Sequence, residues 1–138
     1  MKKRTATANW KGSGKEGIGT VSTQTGVLKD NQYSYKSRFE EGIGTNPEEL
    51  IGAAHAGCFS MKLSFTIGEA GFTPDEINTT ATVSLDNGTI TAVHLVTKAK
   101  VPGMDEAKFK EAAENAKVNC PVSKLLNAEI TMDASLEA

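Results

Sequence analysis

Cysteine, arginine and histidine are scarce in this 138-residue chain, which contains two of each. The two cysteines and two histidines lie at spacings that do not match a zinc-binding pattern, so a structural zinc site is excluded. With only Cys58 and Cys120 to pair, we expect any disulfide formed in a reducing cytosol to be transient or catalytic, not a static staple. A thiol of this kind is either a small core residue or a reaction centre.

Basic residues are not in excess either. Lysine and arginine total 15 against 17 for aspartate and glutamate, a formal net charge of −2. This balance argues against nucleic acid as the main partner. Residues 1–7 are polar and no apolar run follows them at once, so we expect no signal peptide and a cytoplasmic protein. The longest apolar run, residues 50–67, contains His55 and Lys62, which favours a buried helix over a membrane span.

No internal repeat or linker interrupts the chain, so we expect one domain over residues 1–138. Periodicity and turn residues predict strands at 5–11, 17–23, 32–40, 77–85, 90–101 and 128–134, and helices at 46–70, 105–119 and 121–126. The first helix has start signals at Asn46 and Pro47 and a stop signal at Gly71, and residues 86–88 (Asp-Asn-Gly) predict a hairpin turn. The second helix should bury an inner stripe of Phe109, Ala112, Ala113 and Ala116. Strands that cluster along the sequence instead of alternating singly with helices indicate an α+β fold with mainly antiparallel sheet.

The predicted central helix is apolar on nearly every side. One small sheet covers only one side of such a helix, so a second chain is the simplest source of the remaining cover. We therefore expect an obligate homodimer whose central helices pack together, with Gly52, Ala53, Ala56 and Gly57 allowing a close approach. The alternative is a monomer in which the second helix covers the exposed side.

Cys58 needs a positive partner if it is to react. A thiol attacks as its thiolate, and burial raises the pKa of a thiol unless a nearby cation offsets the burial. Arg4 lies near the start of the chain, whereas Arg38 precedes the central helix, so Arg38 is the candidate cation. The acidic pair Glu48 and Glu49 at the helix start is the nearest acceptor for its guanidinium.

The helix length complicates this arrangement. Ten residues of straight helix separate Glu48 from Cys58 by about 15 Å, too far for one guanidinium to touch both. Either the helix bends near Gly52 or the site draws on two chains.

Three segments give the chain a resemblance to a known family: Arg38-Phe39-Glu40, residues 44–61 (GTNPEELIGAAHAGCFSM) and Cys120-Pro121-Val122-Ser123. These motifs resemble the OsmC/Ohr family of thiol-dependent peroxidases, and most closely its osmotically inducible protein C branch. The resemblance extends from about Trp10 to Glu129.

The resemblance implies a peroxiredoxin-like organic hydroperoxide reductase of the osmotic and oxidative stress response, without metal or flavin. It implies Cys58 as the peroxidatic thiolate, Cys120 as the resolving thiol, Arg38 as the group that binds thiolate and peroxide, and Glu48 as the carboxylate that holds Arg38. The implied fold is an intertwined α+β homodimer whose long central helices are enclosed by mainly antiparallel sheets.

The implied reaction follows the oxidation chemistry of thiols. Cys58 would reduce an organic hydroperoxide and become a sulfenic acid, and Cys120 would condense with it to a disulfide that an external dithiol reopens. The apolar residues Phe39, Phe59, Met61 and Leu63 are candidates for the substrate pocket, although such residues more often form plain core.

Two other functions stay open at this point. His55 precedes Cys58 by three residues, so the two share a helix face and could act as base and nucleophile of a hydrolase. Alternatively, the chain is a non-catalytic dimeric module that binds an apolar small molecule. A Cys58 pKa well below about 8.5 would support either enzyme and undermine the binding module.

Overall fold

The computed structural model describes residues 1–137, in which six strands and four helices follow one another. In chain order they are β1 (Ala6–Lys11), β2 (Ile18–Thr23), β3 (Asn31–Tyr33), α1 (Tyr35–Phe39), α2 (Pro47–Glu69), β4 (Glu76–Asp86), β5 (Thr89–Lys100), α3 (Glu106–Asn119), α4 (Pro121–Leu125) and β6 (Glu129–Leu136). The chain divides into two compact units, Met1–Leu50 and the part from Ile51 onward. The α+β class predicted from the sequence is confirmed.

The first unit is a three-stranded antiparallel sheet in the order β1-β2-β3, followed by α1 and the start of α2. The prediction of a strand over residues 32–40 is wrong beyond Tyr33. Ser34 and Ser37 form a capping box, in which each backbone N–H donates to the hydroxyl of the other residue. This cap starts a helical turn, so Arg38 lies on a short helix and not at the end of a strand.

Helix α2 begins and ends at the predicted signals. The Glu49 N–H donates to Asn46 Oδ1 at 2.8 Å, and Pro47 occupies the first helical position. The helix ends at Glu69, and Gly71 adopts a φ of 93°, a backbone conformation that side chains with a Cβ rarely adopt.

The second unit contains a mixed three-stranded sheet. Strands β4 and β5 form the predicted hairpin, with Asn87 and Gly88 both at positive φ in the turn. Strand β6 pairs with β5 in parallel, because the crossover through α3 and α4 is long enough to return the chain in the same direction. The expectation of a mainly antiparallel fold therefore holds for three of the four strand pairs named, and the last pair is parallel.

The hydrophobic core of the second unit lies between this sheet, α2 and α3. Its largest fully buried side chains come from all three elements: Phe59, Leu63 and Ile67 from α2, Val93 and Leu95 from β5, and Phe109 from α3. Helix α3 buries the predicted stripe of Phe109, Ala112, Ala113 and Ala116.

The opposite face of α2 is exposed in the single chain. Met61 is 66% exposed and Phe65 is 63% exposed, and Ala53 and Gly57 lie on the same open side. Gly52 does not belong to that face, because a Cβ there would come within 3.5 Å of the Ala81 carbonyl on the chain's own β4. The expectation that Gly52 serves an interface between helices is therefore wrong for this residue.

Helix α2 is also long and apolar enough to cross a bilayer by length and composition alone. The same test is met by core helices of soluble proteins, and α2 places Phe59, Leu63 and Ile67 in the core of the second unit.

Candidate active site

The two cysteines meet in the second unit. Their sulfur atoms lie 2.9 Å apart, and both residues are free thiols. Cys120 is fully buried and Cys58 is partly buried against the core. Because a disulfide needs a sulfur separation of about 2.05 Å, only a small movement separates this contact from a covalent bond.

A proline fixes the position of Cys120. This residue ends α3, where its N–H donates to the Ala116 carbonyl at 3.0 Å, and it also precedes the first residue of α4. The backbone of Cys120 has φ −59° and ψ 127°, the extended conformation that a following proline favours. Pro121 thus breaks the helix at the point where the Cys120 thiol turns toward α2.

Some of the groups around Cys58 raise the pKa of its thiol and others lower it. Burial raises the pKa of the Cys58 thiol, and the neighbouring Cys120 sulfur raises it further. A backbone hydrogen bond from Val122 and the positive charge of Lys62 lower the pKa of Cys58 but do not offset the burial. A thiolate at neutral pH therefore requires a further cation.

Sequence reasoning missed Lys62 and Val122. Lys62 lies one helical turn after Cys58, and that i, i+4 spacing was available as a signal. Val122 contributes a backbone group, for which side-chain patterns contain no signal.

His55 binds a serine instead of the cysteine. Its Nε2 lies 2.7 Å from Ser123 Oγ, and its Nδ1 has no hydrogen-bond partner within the described part of the chain. His55 is fully buried, and this burial lowers the pKa of its imidazole. The geometry therefore offers no hydrogen bond from His55 to the Cys58 thiol in residues 1–137, which removes support for a Cys–His dyad.

Arg38 and Glu48 form an ion pair within the first unit. The Arg38 Nε donates to Glu48 Oε1 at 2.6 Å, with the Glu48 side chain 11% exposed and that of Arg38 40% exposed. Glu49 instead accepts a hydrogen bond from the Thr45 hydroxyl at 2.7 Å. Of the two glutamates at the helix start, Glu48 is the one that holds Arg38.

The same pair leaves polar atoms available. Glu48 Oε2 is buried without a partner, and the two terminal nitrogens of Arg38 donate no hydrogen bond, as far as residues 1–137 are concerned. Helix α1 is fixed beside the start of α2 by Ser37, whose hydroxyl donates to the Thr45 carbonyl at 2.7 Å and whose carbonyl accepts from Asn46 at 2.9 Å. Arg38 therefore presents donors from an anchored side chain.

An aromatic cleft of about 230 Å³ opens beside Arg38, also within the first unit. Its lining side chains include Trp10, Tyr33, Tyr35, Phe39 and Arg38. The predicted pocket residues divide differently in the structure. Phe39 lines this cleft and Met61 is exposed on α2, whereas Phe59 and Leu63 are fully buried in the core.

The remaining histidine has an ordinary surface role. His94 on β5 contacts Thr131 Oγ1 at 2.6 Å and Asp133 Oδ2 at 3.1 Å, so it does have partners across the β5–β6 pair. Among the residues that the structure describes, no group of three or more histidine, cysteine, aspartate or glutamate side chains is arranged to hold a metal ion. The fold and the site together define an α+β protein with a closely paired dithiol.

Comparison with known proteins places this class within a family. The model of the family described as OsmC-like protein matches residues 40–135. The chain is 53% identical to Peroxiredoxin OsmC of Escherichia coli (strain K12) over 135 residues, covering 95% of this chain and 94% of that protein. It is 30% identical to the organic hydroperoxide resistance protein OhrB of Bacillus subtilis (strain 168), covering 86% and 89%. The chain belongs to the OsmC-like protein family.

Solved structures agree at the level of the fold. An OsmC-like protein from Mycoplasma pneumoniae superposes with a TM-score of 0.78 at 15% identity, covering 99% of each chain. The crystal structure of OhrB from Bacillus subtilis gives a TM-score of 0.64 at 25% identity, covering 96% of this chain and 98% of that one.

Proposed function

We propose that this protein is a thiol-dependent peroxidase that reduces organic hydroperoxides to alcohols. The observation that carries the proposal is the 2.9 Å contact between two free thiols, of which Cys58 is partly exposed and Cys120 is buried. Membership of the OsmC-like family supports it, since relatives are named as a peroxiredoxin and as organic hydroperoxide resistance proteins.

The reaction uses the two sulfurs in sequence. The Cys58 thiolate attacks the outer oxygen of the hydroperoxide, so that an S–O bond forms, the O–O bond breaks and the alkoxide leaves as alcohol after taking up a proton. The Cys120 thiol then attacks the Cys58 sulfenic acid, forming the S–S bond and releasing water. An external dithiol returns both residues to thiols by exchange.

Arg38 is the cation that we assign to this chemistry. Burial keeps the pKa of Cys58 raised despite Lys62, so the thiolate needs additional positive charge. Arg38, held by Glu48 through Nε, retains its terminal nitrogens for the thiolate and the peroxide oxygens.

The organic part of the substrate is assigned to the aromatic cleft beside Arg38. Its walls of Trp10, Tyr33, Tyr35 and Phe39 favour an apolar group over bulk water. The proposal therefore includes a preference for organic hydroperoxides over hydrogen peroxide.

The assignment is tested by mass spectrometry after one equivalent of cumene hydroperoxide is added to the reduced protein. We expect loss of two hydrogen atoms per chain, a peptide pair that joins Cys58 to Cys120, and one equivalent of alcohol. The same experiment with hydrogen peroxide should proceed more slowly. Recovery of two free thiols with the hydroperoxide unconsumed would rule out the proposed reaction.

We further propose that the protein is an obligate homodimer in which the open faces of two α2 helices pack together. The support is the large exposed fraction of Met61 and Phe65, beside the small residues Ala53 and Gly57 that allow close approach. Burying each Phe65 should stabilise the dimer by about 1.5–3 kcal/mol, and two-fold symmetry repeats that contribution.

Phe65→Lys should convert the dimer to monomer, because it places a charge at the centre of the proposed interface. Sedimentation velocity measures the change as a halving of mass. Val118→Lys on α3 is the matched control, since Val118 is 55% exposed and lies outside that face. A wild-type protein that sediments as a monomer, or a Phe65→Lys protein that stays dimeric, would contradict this arrangement.

One domain and a cytoplasmic location complete the proposal. The family match spans residues 40–135, on both sides of the boundary between the two units, which supports a single domain. Limited proteolysis should then yield no stable fragment ending near residue 50.

The proposed cytoplasmic location is supported by the two free thiols, because a reducing compartment keeps cysteines reduced. Cell fractionation tests the location.

A further inference from the structure

A second bridge joins the same two helices as the cysteine pair. His55 precedes Cys58 by three residues on α2, and Ser123 follows Cys120 by three residues at α4. The His55 Nε2 to Ser123 Oγ distance is 2.7 Å, beside the 2.9 Å contact of the sulfurs. Since residues three apart share a helix face, the two bridges lie next to each other.

The hydrogen bond is buried at the histidine end. His55 is fully buried, and burial lowers the pKa of its imidazole, so the ring is neutral. A buried polar ring without any hydrogen bond costs about 1–3 kcal/mol. Because Nδ1 has no partner in residues 1–137, the contact with Ser123 is the hydrogen bond that satisfies this ring in the described structure.

Helix α4 has little else to hold it in place. It is five residues long, none of its side chains is fully buried, and Leu125 is 78% exposed. Val122 packs only partly against the core. The residue that precedes this helix is nevertheless Cys120, whose sulfur lies 2.9 Å from the Cys58 sulfur.

We infer that the His55–Ser123 hydrogen bond holds the Cys120–Ser123 segment on α2, so that the resolving thiol reaches the Cys58 sulfenic acid before a second peroxide does. This role rests on the peroxidase function proposed above. His55 and Ser123 are positioning residues in it, because neither touches the reacting sulfurs through a hydrogen bond in the described structure. The step they serve forms the S–S bond and expels the sulfenic oxygen as water, with the proton taken from the Cys120 thiol.

Ser123→Ala tests the inference in the reduced full-length protein. Stopped-flow measurement should show disulfide formation slowed about tenfold, the size expected for one lost hydrogen bond. Consumption of the first equivalent of cumene hydroperoxide should stay within about twofold of wild type, because the attacking sulfur is unchanged. With excess peroxide, the fraction of Cys58 converted to sulfinic acid should rise about tenfold, since the sulfenic acid survives longer.

Two further variants distinguish a positioning role of the His55–Ser123 hydrogen bond from a general effect of losing a serine hydroxyl. Ser123→Thr keeps the hydroxyl and should restore rapid disulfide formation. Ser60→Ala is the matched control, because the Ser60 hydroxyl also belongs to α2 but donates to the Thr79 hydroxyl on β4 at 2.8 Å. Disulfide formation in Ser60→Ala should therefore keep the wild-type rate.

The outcomes distinguish this inference from the proposed function. A wild-type rate of disulfide formation in Ser123→Ala would refute the positioning role of the His55–Ser123 hydrogen bond and leave the peroxidase proposal intact. A wild-type protein that forms no disulfide would refute the peroxidase proposal itself. The positioning role would also be refuted if Ser123→Ala unfolded the protein, or if it slowed peroxide consumption and disulfide formation equally. Slow resolution with a normal first step and rescue by Ser123→Thr would establish it.

Discussion

Cys58→Ser should abolish the reduction of organic hydroperoxides, lowering kcat/KM by at least about 10³-fold. The serine hydroxyl keeps the size of the side chain but stays protonated, so it cannot attack the O–O bond as a thiolate does. The measurement is peroxide-dependent consumption of a dithiol such as dithiothreitol. Cys58 is partly buried against the core, and the near-isosteric change should leave the fold intact.

Cys120→Ser is the matched control for the nucleophile. Here the first turnover should proceed at close to the wild-type rate, because Cys58 is retained, and the Cys58 sulfenic acid should then accumulate. Successive additions of peroxide should convert it to sulfinic acid, which mass spectrometry detects as added oxygen. If Cys120→Ser lost the first turnover as well, or if Cys58→Ser kept activity, the assigned roles of the two thiols would be wrong.

Arg38→Met should lower kcat/KM for cumene hydroperoxide by about 10²-fold, the effect typical of removing one positioned donor from a developing negative charge. Methionine retains the apolar stem but neither the charge nor the fork of donors. The Cys58 thiolate loses a stabilising cation, so the pKa of Cys58 should move upward from a value that burial already raises. The rate of Cys58 alkylation against pH measures that shift directly.

Two controls isolate the guanidinium. Arg4→Met removes the same charge from the other arginine, whose terminal nitrogen donates to the neighbouring Lys3 carbonyl at 3.1 Å, and it should change neither rate nor pH profile. Glu48→Gln keeps the shape of the carboxylate but loses its charge, so Arg38 should be held less tightly and activity should fall less than in Arg38→Met. An unchanged alkylation profile in Arg38→Met would show that Arg38 does not act on Cys58.

The local elements were largely predictable because their signals lie within a few residues of one another. Asn46 caps α2 before Pro47, and Asn87-Gly88 closes the hairpin as expected. The strand predicted over residues 32–40 failed because alternation was given more weight than a capping box. Ser34 and Ser37 form that box, and its two hydrogen bonds exist only when the backbone after Ser34 adopts a helical turn.

The sequence predicted which residues form the candidate site better than it predicted how they are arranged in space. Motif resemblance identified Cys58, Cys120, Arg38 and Glu48, and the structure pairs the first two through sulfur and the last two through an ion pair. The choice of Glu48 over Glu49 depended on which face of the first helical turn meets α1, which no spacing along the sequence specifies.

By itself the amino-acid sequence determined where α2, α3, α4 and the hairpin begin and end, which stripe of α3 is buried, and that two thiols are the candidate chemistry. These depend on caps, turns and periodicity, which act between near neighbours. The tertiary structure alone decided that β6 runs parallel to β5, that Gly52 faces its own sheet, and that Ser123 reaches His55. Such contacts join residues far apart in sequence, and they are set by the packing of whole elements, which no local pattern encodes.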